Sequence, residues 1–600
     1  MMAEDSKRND AILMAVLANR MDGIVREMTN TLLRTARSSV INSARDFSCA
    51  MCTAEGELFA CAEGLPVHIF GVQKQAAEMV RVHPDLKEGD AFLDNDPYVG
   101  NSHPADHCTL VPIFLDGEHM FTATVKAHQA DIGNSLPTSY YSSAVDVYQE
   151  GALIFPVVQV QRDYKMIDDI VRMCRRRIRV PGQWYGDFLA AVGSARIAER
   201  RLKELCEKYG KDTLKAFKSY WLEYSEARME KAINALPQVK LQNSGRHDPF
   251  EPFLPDGVPL NVEIDVKPGE GRIEVDLRNN IPNVDCGLNL TEATTMASVF
   301  AGIFNAMPGD VPKNSGAFRR VDVKLADGCV VGRPKFPHSC SVATTNIADR
   351  LVNMVGSAFS QIDGFGVAEG ATGVGVGYAV LSGRDHRYDD APFVNQLVVA
   401  ANGGPASDSA DGWVTYGLPV VSGLMYRDSI EIDELKMPII YKHMRLRGGT
   451  GGAGRRRGGM SCDLAYGPTN YPVTAIYQLD SQYYAPKGVR GGQDGLTAGG
   501  WHVLADGTEV ALPNSIQVEL KRGEYLRGFD SSGGGYGNPR ERDPALVLDD
   551  VLEGWETIDR ARDVYGVAFT GRVEDETLAV DAEGTAALRR NAAVSQFQAG

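Results

Sequence analysis

The densest group of potential metal ligands in this 600-residue chain lies in residues 94–107, DNDPYVGNSHPADH. His103 and Asp106 stand three residues apart around a proline, and a further histidine, His128, follows 22 residues after Asp106. Two neutral imidazoles and one carboxylate suit a divalent ion such as zinc, manganese or iron, and they leave a coordination position open for water or substrate. These residues therefore predict a metal site; the alternative is that all three are surface residues of a turn.

Whether the ligands can meet depends on a predicted β-hairpin between them. Two apolar runs, CTLVPIF and MFTATVKA, lie on either side of the polar turn 115–119. A three-residue loop, 116–118, would place Asp106 opposite His128 with their Cβ atoms about 5 Å apart. A two-residue loop, Asp116-Gly117, would pair residue 106 with residue 127 and send the two side chains to opposite faces, unless a bulge intervenes. The sequence leaves both registers open.

Composition argues against several classes of function. Lys and Arg number 62 against 78 Asp and Glu, a formal charge of −16, which argues against nucleic acid as the main partner. No run approaches about 20 uninterrupted apolar residues, so we expect no membrane-spanning helix. The N-terminal sequence MMAEDSKRND has no apolar signal core and predicts a cytoplasmic protein, in which the 10 cysteines are thiols or ligands rather than disulfides.

Hydrophobic periodicity predicts both helices and sheets. Apolar residues recur at helical spacing, and the predicted helical segments are 9–37, 72–82, 166–236, 291–307, 347–360 and 543–566. Short apolar runs between turn residues predict a hairpin over 46–66, sheet over 90–160 and β-structure in the glycine-rich region 447–540. Because the elements do not alternate as regular βαβ units, the sequence predicts an α+β fold with substantial antiparallel sheet.

The length of the chain exceeds what one hydrophobic core supports, so several domains are expected. A stretch rich in proline, aspartate and glycine over 244–257 indicates a boundary. We expect an N-terminal metal-site domain over 1–245, a middle α/β domain over 246–445, and a glycine-rich β domain with a C-terminal helix over 446–600.

Two other motifs carry weaker signals. Residues 449–454 match the G-x-G-x-x-G pattern, but three arginines (455–457) follow in place of the apolar start of a dinucleotide-binding helix. An arginine-braced turn, or contact with an anionic group, is therefore favoured. Cys49, Cys52 and Cys61 resemble part of a zinc knuckle, yet no convincing fourth ligand lies nearby, which favours buried thiols.

Further motifs of hydrolases and nucleotide-binding proteins are missing. The sequence contains neither the G-x-S-x-G elbow of serine hydrolases nor a phosphate-binding G-x-x-x-x-G-K-[ST] loop. His68, within the apolar stretch LPVHIF, is predicted to be a core histidine rather than a ligand. The predicted metal site is therefore the favoured location for the protein's chemistry.

Motifs that run in order along nearly the whole chain resemble those of the hydantoinase B/oxoprolinase family. The matching segments include NDPYVGNSHPADHCTLVPIF, AHQADIG and GGGYGNPRERDP, and in full they are 37–71, 95–114, 127–133, 146–156, 186–210, 448–460 and 534–544. An ordered series of motifs is far more specific than any one of them. The sequence departs from the family pattern at 100–102, at Asn134 and over 403–416, so the substrate of any one relative does not transfer.

The resemblance implies a partner and a chemistry. Members of this family work with a larger hydantoinase A-type subunit, which binds ATP and phosphorylates the substrate oxygen. One branch opens cyclic amides such as hydantoins, 5-oxoproline or lactams, and another carboxylates ketones with bicarbonate. In the carboxylase branch the metal ligands lie in an H-x-x-D motif followed by a histidine, which corresponds here to His103, Asp106 and His128.

Three functional hypotheses follow. The favoured one is the metal-bearing subunit of an ATP-dependent cyclic amide hydrolase, part of a hetero-oligomer, in which the metal activates water and Asp131 or His107 orients a ligand or transfers a proton. The second is a subunit of an ATP-dependent ketone carboxylase of the acetone or acetophenone type. The third is a structural subunit without a catalytic metal.

Overall fold

The computed structural model describes residues 2–61, 64–399 and 402–598, and it confirms the predicted α+β fold. No helix in these ranges is both long and apolar enough to cross a lipid bilayer. The α-helices are Met2–Thr35, Ser39–Asn42, Pro66–Ile69, Val72–Val82, Val147–Glu150, Asp168–Arg177, Pro181–Tyr209, Lys211–Asn234, Glu292–Phe304, Ser315–Phe318, Ile347–Ala358, Ile430–Lys436, Pro544–Leu552, Ile558–Asp563 and Ala582–Gln598.

Helix boundaries follow local sequence signals. The helix predicted over 72–82 forms over those residues, whereas the segment 166–236 divides into three helices. Pro181 begins the second of the three, where its missing N–H costs nothing. Gly210 separates the second from the third with φ of +86°, a conformation that favours glycine.

The predicted metal ligands lie at one end of a seven-stranded antiparallel sheet. Its strands are β1 (Phe47–Thr53), β2 (Leu58–Cys61), β3 (Ala91–Asp94), β4 (Asp106–Leu115), β5 (Glu118–His128), β6 (Val158–Arg162) and β7 (Lys165–Met166). Their order across the sheet is β2-β1-β5-β4-β3-β6-β7, so the hairpin β4–β5 is central. Asp106 begins β4 and His128 ends β5, which places both at the same end of the hairpin.

A bulge fixes the register of this hairpin. The turn has two residues, Asp116 and Gly117, with φ of +48° and +76°, and Leu115 pairs with Glu118. The register then shifts between Ile113 and Phe114, because β5 contains one extra residue there. Asp106 consequently pairs with His128. The two-residue loop forms, and the bulge returns the two side chains to one face.

The two faces of the sheet contact different parts of the protein. On one face, Val111 and Val125 pack in a hydrophobic cluster with the helices Met2–Thr35 and Pro181–Tyr209. On the other face, Cys108 and Leu110 belong to a larger cluster that extends into the second half of the chain. Side chains alternate along a strand, so Asp106 lies on the Cys108 face.

Three further sheets of at least four strands and one strand pair complete the described fold. The second sheet contains β8 (Val239–His247), β9 (Val258–Lys267), β10 (Arg272–Asp276) and β11 (Val321–Lys324). The third contains Gly373–Val374, Val380–Asp385, Ala391–Gln396, Val473–Leu479 and Ser515–Leu520. The fourth contains Ile439–Arg447, Ser461–Pro468, Gly499–Val503, Glu509–Ala511 and Tyr525–Phe529, and the pair is Ala568–Thr570 with Ala579–Asp581.

The three-domain division stays a prediction. The boundary at residue 245 falls inside the strand Val239–His247, and the boundary at 445 falls inside Ile439–Arg447. One hydrophobic cluster includes residues from all three predicted domains, for example Leu110, Leu351 and Leu464. The three segments therefore share a common core.

The glycine-rich region packs backbone against backbone. The Gly533 N–H donates to the carbonyl of Gly459, and the Gly452 N–H donates to the carbonyl of Gly533, both at 2.9 Å. A Cβ atom on Gly533 would lie 1.8 Å from the carbonyl oxygen of Gly404, and one on Gly458 would lie 1.9 Å from that of Gly533. These approaches leave no room for a side chain, which accounts for much of the local glycine excess.

Arginines brace the turn that follows the G-x-G-x-x-G segment. In the described structure the chain after residue 454 is irregular and does not form the helix of a dinucleotide site. Arg455 pairs with Asp408 at 2.6 Å, and Arg457 pairs with Asp550 at 2.9 Å. The arginines therefore brace this turn, as the favoured interpretation of the motif predicted.

We expect Gly533→Ala to lower the melting temperature by several degrees or to prevent soluble expression, because overpacking costs about 1–3 kcal/mol or more. Gly193→Ala is the control: this exposed helical glycine has no atom within 4 Å of its Cβ position, so the change should be neutral or stabilising by up to about 1 kcal/mol. Differential scanning calorimetry measures both. Equal melting temperatures for Gly533→Ala and the wild type would contradict the packing argument.

Candidate metal centre

Three ligand atoms converge at the base of the central hairpin. Asp106 Oδ1 lies 3.0 Å from His103 Nε2 and 3.1 Å from His128 Nδ1, and the two ring nitrogens are 3.2 Å apart. All three side chains are almost completely buried. Ligand atoms about 2.0–2.2 Å from a tetrahedral ion lie a little over 3 Å apart, so the observed spacing fits a shared ion.

The outer nitrogen of each histidine already has a partner. His103 Nδ1 lies 2.9 Å from the carbonyl oxygen of Ser341, which can only accept, so Nδ1 carries the proton. His128 Nε2 lies 2.9 Å from the hydroxyl of Ser139 and can donate to it. Both inner nitrogens then present lone pairs to one another and to Asp106. Such lone pairs repel unless a proton or a cation lies between them, so the donor set fits a metal ion.

Two further residues contact Oδ2, the second oxygen of the Asp106 carboxylate. Ser102 donates its hydroxyl hydrogen to Oδ2, and His68 Nε2 lies 3.2 Å from the same atom. Burial alone raises the pKa of Asp106, but the imidazoles of His103 and His68 outweigh burial and hold it well below its usual range. Burial lowers the pKa of His103, but Asp106 outweighs this effect and raises it. An ionised carboxylate is the form that binds a metal.

A small cavity adjoins the ligands. It has a volume of about 20 Å³, and its lining includes Asp106, His128, Tyr140, Thr344 and Gln396. The ring of Tyr140 packs against the His128 ring with a centroid distance of 5.2 Å. The side chains of Thr344 and Gln396 are buried and interact with the Tyr140 hydroxyl. The cavity can hold a water molecule or an ion but not a substrate ring.

Two residues of the site were not identified from the sequence. Asp46 lines the cavity, and its backbone carbonyl accepts from the His128 N–H at 3.0 Å. His68 is buried, as predicted, but it also lines the cavity and contacts Asp106. Asp46 directly precedes β1, so the pairing of β1 with β5 was the signal that could have located it. That pairing joins segments about 80 residues apart and has no local pattern.

Asp131 and His107 contact other groups. Asp131 Oδ1 lies 3.1 Å from Arg179 Nη1 and accepts from the Gly133 N–H at 3.0 Å. His107 follows Asp106 on β4 and therefore faces the opposite side of the sheet, where its Nδ1 accepts from Trp184 at 3.3 Å. Burial lowers the pKa of His107 to about 3, which keeps this ring neutral. Their part in orientation or proton transfer stays a prediction.

The cysteines are free thiols, and most are buried. Cys49 packs with the helices on one face of the sheet, whereas Cys52 belongs to the cluster on the other face, so the two cannot share an ion. Burial raises the pKa of Cys49 to about 11 and that of Cys61 to about 12. Of the described residues, only His103, Asp106 and His128 form a group of three or more ligands close enough for one ion.

Residues 10–539 match the sequence profile of one protein family, described as hydantoinase B/oxoprolinase. The chain belongs to the hydantoinase B/oxoprolinase family. This match spans most of the chain and confirms the resemblance that the ordered motifs indicated.

Two relatives are similar in sequence to this chain over most of its length. Subunit beta of caprolactamase from Pseudomonas jessenii is 27% identical over 593 residues, which cover 96% of this chain and 99% of that subunit. 5-Oxoprolinase 1 from Arabidopsis thaliana is 23% identical over 554 residues, which cover 88% of this chain but 42% of that longer protein. This chain therefore corresponds to a whole subunit in one relative and to a part of the other.

Two solved structures share the fold. ATP-dependent caprolactamase from Pseudomonas jessenii matches with a TM-score of 0.84 at 25% identity, over 97% of this chain and 99% of that chain. Nucleotide-free acetone carboxylase matches with a TM-score of 0.83 at 18% identity, over 99% of this chain and 84% of that chain. At that lower identity, the likeness to acetone carboxylase concerns the fold alone.

We expect Asp106→Asn and His128→Ala to reduce the metal content of the purified protein to below about a tenth of the wild-type value, because each removes a charge or a donor from a buried three-ligand set. His119→Ala is the matched control, since His119 lies on the same hairpin and contacts Thr122 instead. Inductively coupled plasma mass spectrometry measures the content. Equal metal in Asp106→Asn and the control would contradict the assignment.

Proposed function

We propose that this chain is the metal-bearing subunit of an ATP-dependent hydrolase that opens a cyclic amide of the hydantoin, 5-oxoproline or lactam type. The observation that carries the proposal is the buried His103–Asp106–His128 cluster, whose three inner atoms are spaced to bind one cation. The similarity over nearly full length to subunit beta of caprolactamase supports the choice of substrate class.

The three ligands would hold a divalent ion: zinc, manganese or iron. When bound, such an ion lowers the pKa of water toward neutrality and polarises an oxygen of the substrate. The chain's own residues keep the ligands in place. Ser341 and Ser139 fix the ring orientations of the two histidines, while Ser102 and His68 hold the second carboxylate oxygen of the aspartate.

The cavity beside the ligands supplies groups for a polar substrate. Thr344 and Gln396 line it, and both side chains interact with the Tyr140 hydroxyl, so a polar ligand would compete with that tyrosine for them. Its 20 Å³ volume means that the lining must move before a ring can enter. The surrounding burial would then exclude bulk water from an activated substrate.

A second subunit would supply the activation step. In the proposal, a hydantoinase A-type partner binds ATP and phosphorylates the amide oxygen, and the two subunits form a hetero-oligomer in the cytoplasm. Over the whole reaction two waters would be consumed. One would add to the ring carbon as the ring C–N bond breaks, supplying an oxygen to the acyl carbon and a proton to the amine, and the second would release the phosphoryl group from the resulting acyl phosphate as inorganic phosphate, while ADP leaves the partner. The names of the two caprolactamase matches, a beta subunit and an ATP-dependent enzyme, support a partner and the use of ATP.

The test is turnover by the reconstituted two-subunit complex with hydantoins, 5-oxoproline and lactams. We expect Asp106→Asn to lower ring opening at least about 100-fold, because loss of ligand support alone costs 10–100-fold. His119→Ala should keep wild-type turnover. Liquid chromatography of the amino-acid product measures the rate. A metal-free complex with full activity would reject the proposal.

Bicarbonate separates this function from ketone carboxylation. A cyclic amide hydrolase should consume ATP with an amide and without bicarbonate. A ketone carboxylase should require bicarbonate and incorporate its carbon into the product, which labelled bicarbonate detects. Bicarbonate-dependent consumption of acetone or acetophenone, without amide opening, would overturn the proposal in favour of the carboxylase.

A further inference from the structure

A second pocket adjoins the metal cavity. It has a volume of about 100 Å³ and is lined by Thr29, Arg45, Phe47, Ser48, Leu424 and Tyr426. Asp46 lies between Arg45 and Phe47, and Met425 lies between Leu424 and Tyr426, but these two residues line the metal cavity instead. The side chains of Asp46 and Met425 therefore lie in the wall that separates the two spaces.

A series of polar contacts through His68 also joins the pocket to the predicted ligands. Ser48, which lines the pocket, lies 3.3 Å from Nδ1 of His68 through its hydroxyl oxygen. The opposite nitrogen of the same ring, Nε2, lies 3.2 Å from Asp106 Oδ2. One imidazole thus lies between a residue of the pocket lining and a predicted metal ligand.

Arg45 is the charged group of this pocket. Its guanidinium carbon lies 3.7 Å from the centroid of the Tyr426 ring. The Tyr426 N–H donates to the Ala44 carbonyl at 2.9 Å, which fixes the ring beside the arginine. In the described ranges no carboxylate forms a salt bridge with Arg45, and the pocket lining contains no acidic residue. The pocket therefore offers a cation that lacks an anionic partner.

The backbone of Arg45 is strained. Its φ is +57°, a left-handed conformation that is uncommon for residues with a side chain and that is often found at functional positions. This conformation occurs directly before Asp46, which lines the metal cavity. The strained residue therefore lies beside both the pocket and a residue of the metal cavity.

We propose that this pocket binds the phosphoryl group of the activated substrate through Arg45 before that substrate passes to the metal cavity. Arginine binds phosphate oxygens through two parallel N–H groups, and an unpartnered cation in a half-buried, acid-free pocket favours such a dianion. The identity of the substrate as a phosphorylated amide rests on the proposed function. A volume near 100 Å³ accepts a phosphoryl group but not a nucleotide.

Isothermal titration calorimetry of the full-length chain with inorganic phosphate and with methyl phosphate tests the pocket. We expect Arg45→Met to weaken binding of both probes at least about tenfold, and Arg45→Lys to weaken it less. Arg175→Met is the matched control, because Arg175 also lies over a tyrosine ring, Tyr185, at 5.3 Å, and is remote in sequence from the pocket. It should bind both probes as the wild type does. Circular dichroism and metal content verify that each variant is folded.

Three results would overturn the proposal: equal binding by Arg45→Met and the wild type, no binding by the wild type up to about 20 mM of either probe, or binding of inorganic phosphate only. The titration involves neither ATP, nor the partner, nor amide turnover, so it can succeed even if the proposed reaction is wrong. Conversely, turnover by the wild-type complex without Arg45-dependent phosphate binding would reject the pocket and leave the proposed reaction standing.

Discussion

The structure depends on the contact between Asp106 Oδ1 and two imidazole nitrogens that are themselves 3.2 Å apart. Because the outer nitrogen of His103 must donate to a carbonyl, its inner nitrogen has a lone pair in the neutral ring. Three electron-rich atoms buried at this distance are unfavourable without positive charge among them. A divalent ion resolves the repulsion, and it would also supply the Lewis acid that the proposed hydrolysis needs.

The architecture holds this contact from both halves of the chain. The central hairpin provides Asp106 and His128, and the loop before it provides His103. The carbonyl that orients His103 belongs to Ser341, more than 200 residues away. Gln396 reaches the same cavity from the third sheet. The site therefore forms only when the first sheet packs against the following elements, and the shared core makes that packing part of folding.

Local patterns predicted much of the fold. The helix over 72–82 and the hairpin β4–β5 have clear periodicity, and the metal ligands have distinctive residue types and spacing. The register of the hairpin was open, because the bulge near Met120 adds one residue without a local signal. Only the folded chain shows that this bulge brings Asp106 and His128 to one face.

The other residues of the site depend on contacts between distant parts of the chain, which the sequence did not predict. Asp46 directly precedes β1 and reaches the site through the pairing of β1 with β5, whereas Asp131, which the sequence offered as a catalytic residue, is bound by Arg179 instead. Such contacts are determined by strand order and by helix packing rather than by adjacent residues. The same reason explains Arg45, whose partner Tyr426 lies in a distant loop and whose backbone conformation no sequence pattern indicated.

X-ray diffraction at the absorption edges of zinc, manganese and iron, from crystals of the protein as purified, tests the central claim most directly. The account predicts one strong anomalous peak at coordination distance from His103 Nε2, Asp106 Oδ1 and His128 Nδ1 together, about 2.0–2.2 Å from each if the ion is zinc. A well-ordered map in which these three atoms surround no anomalous scatterer, or in which the peak lies on other residues, would contradict it.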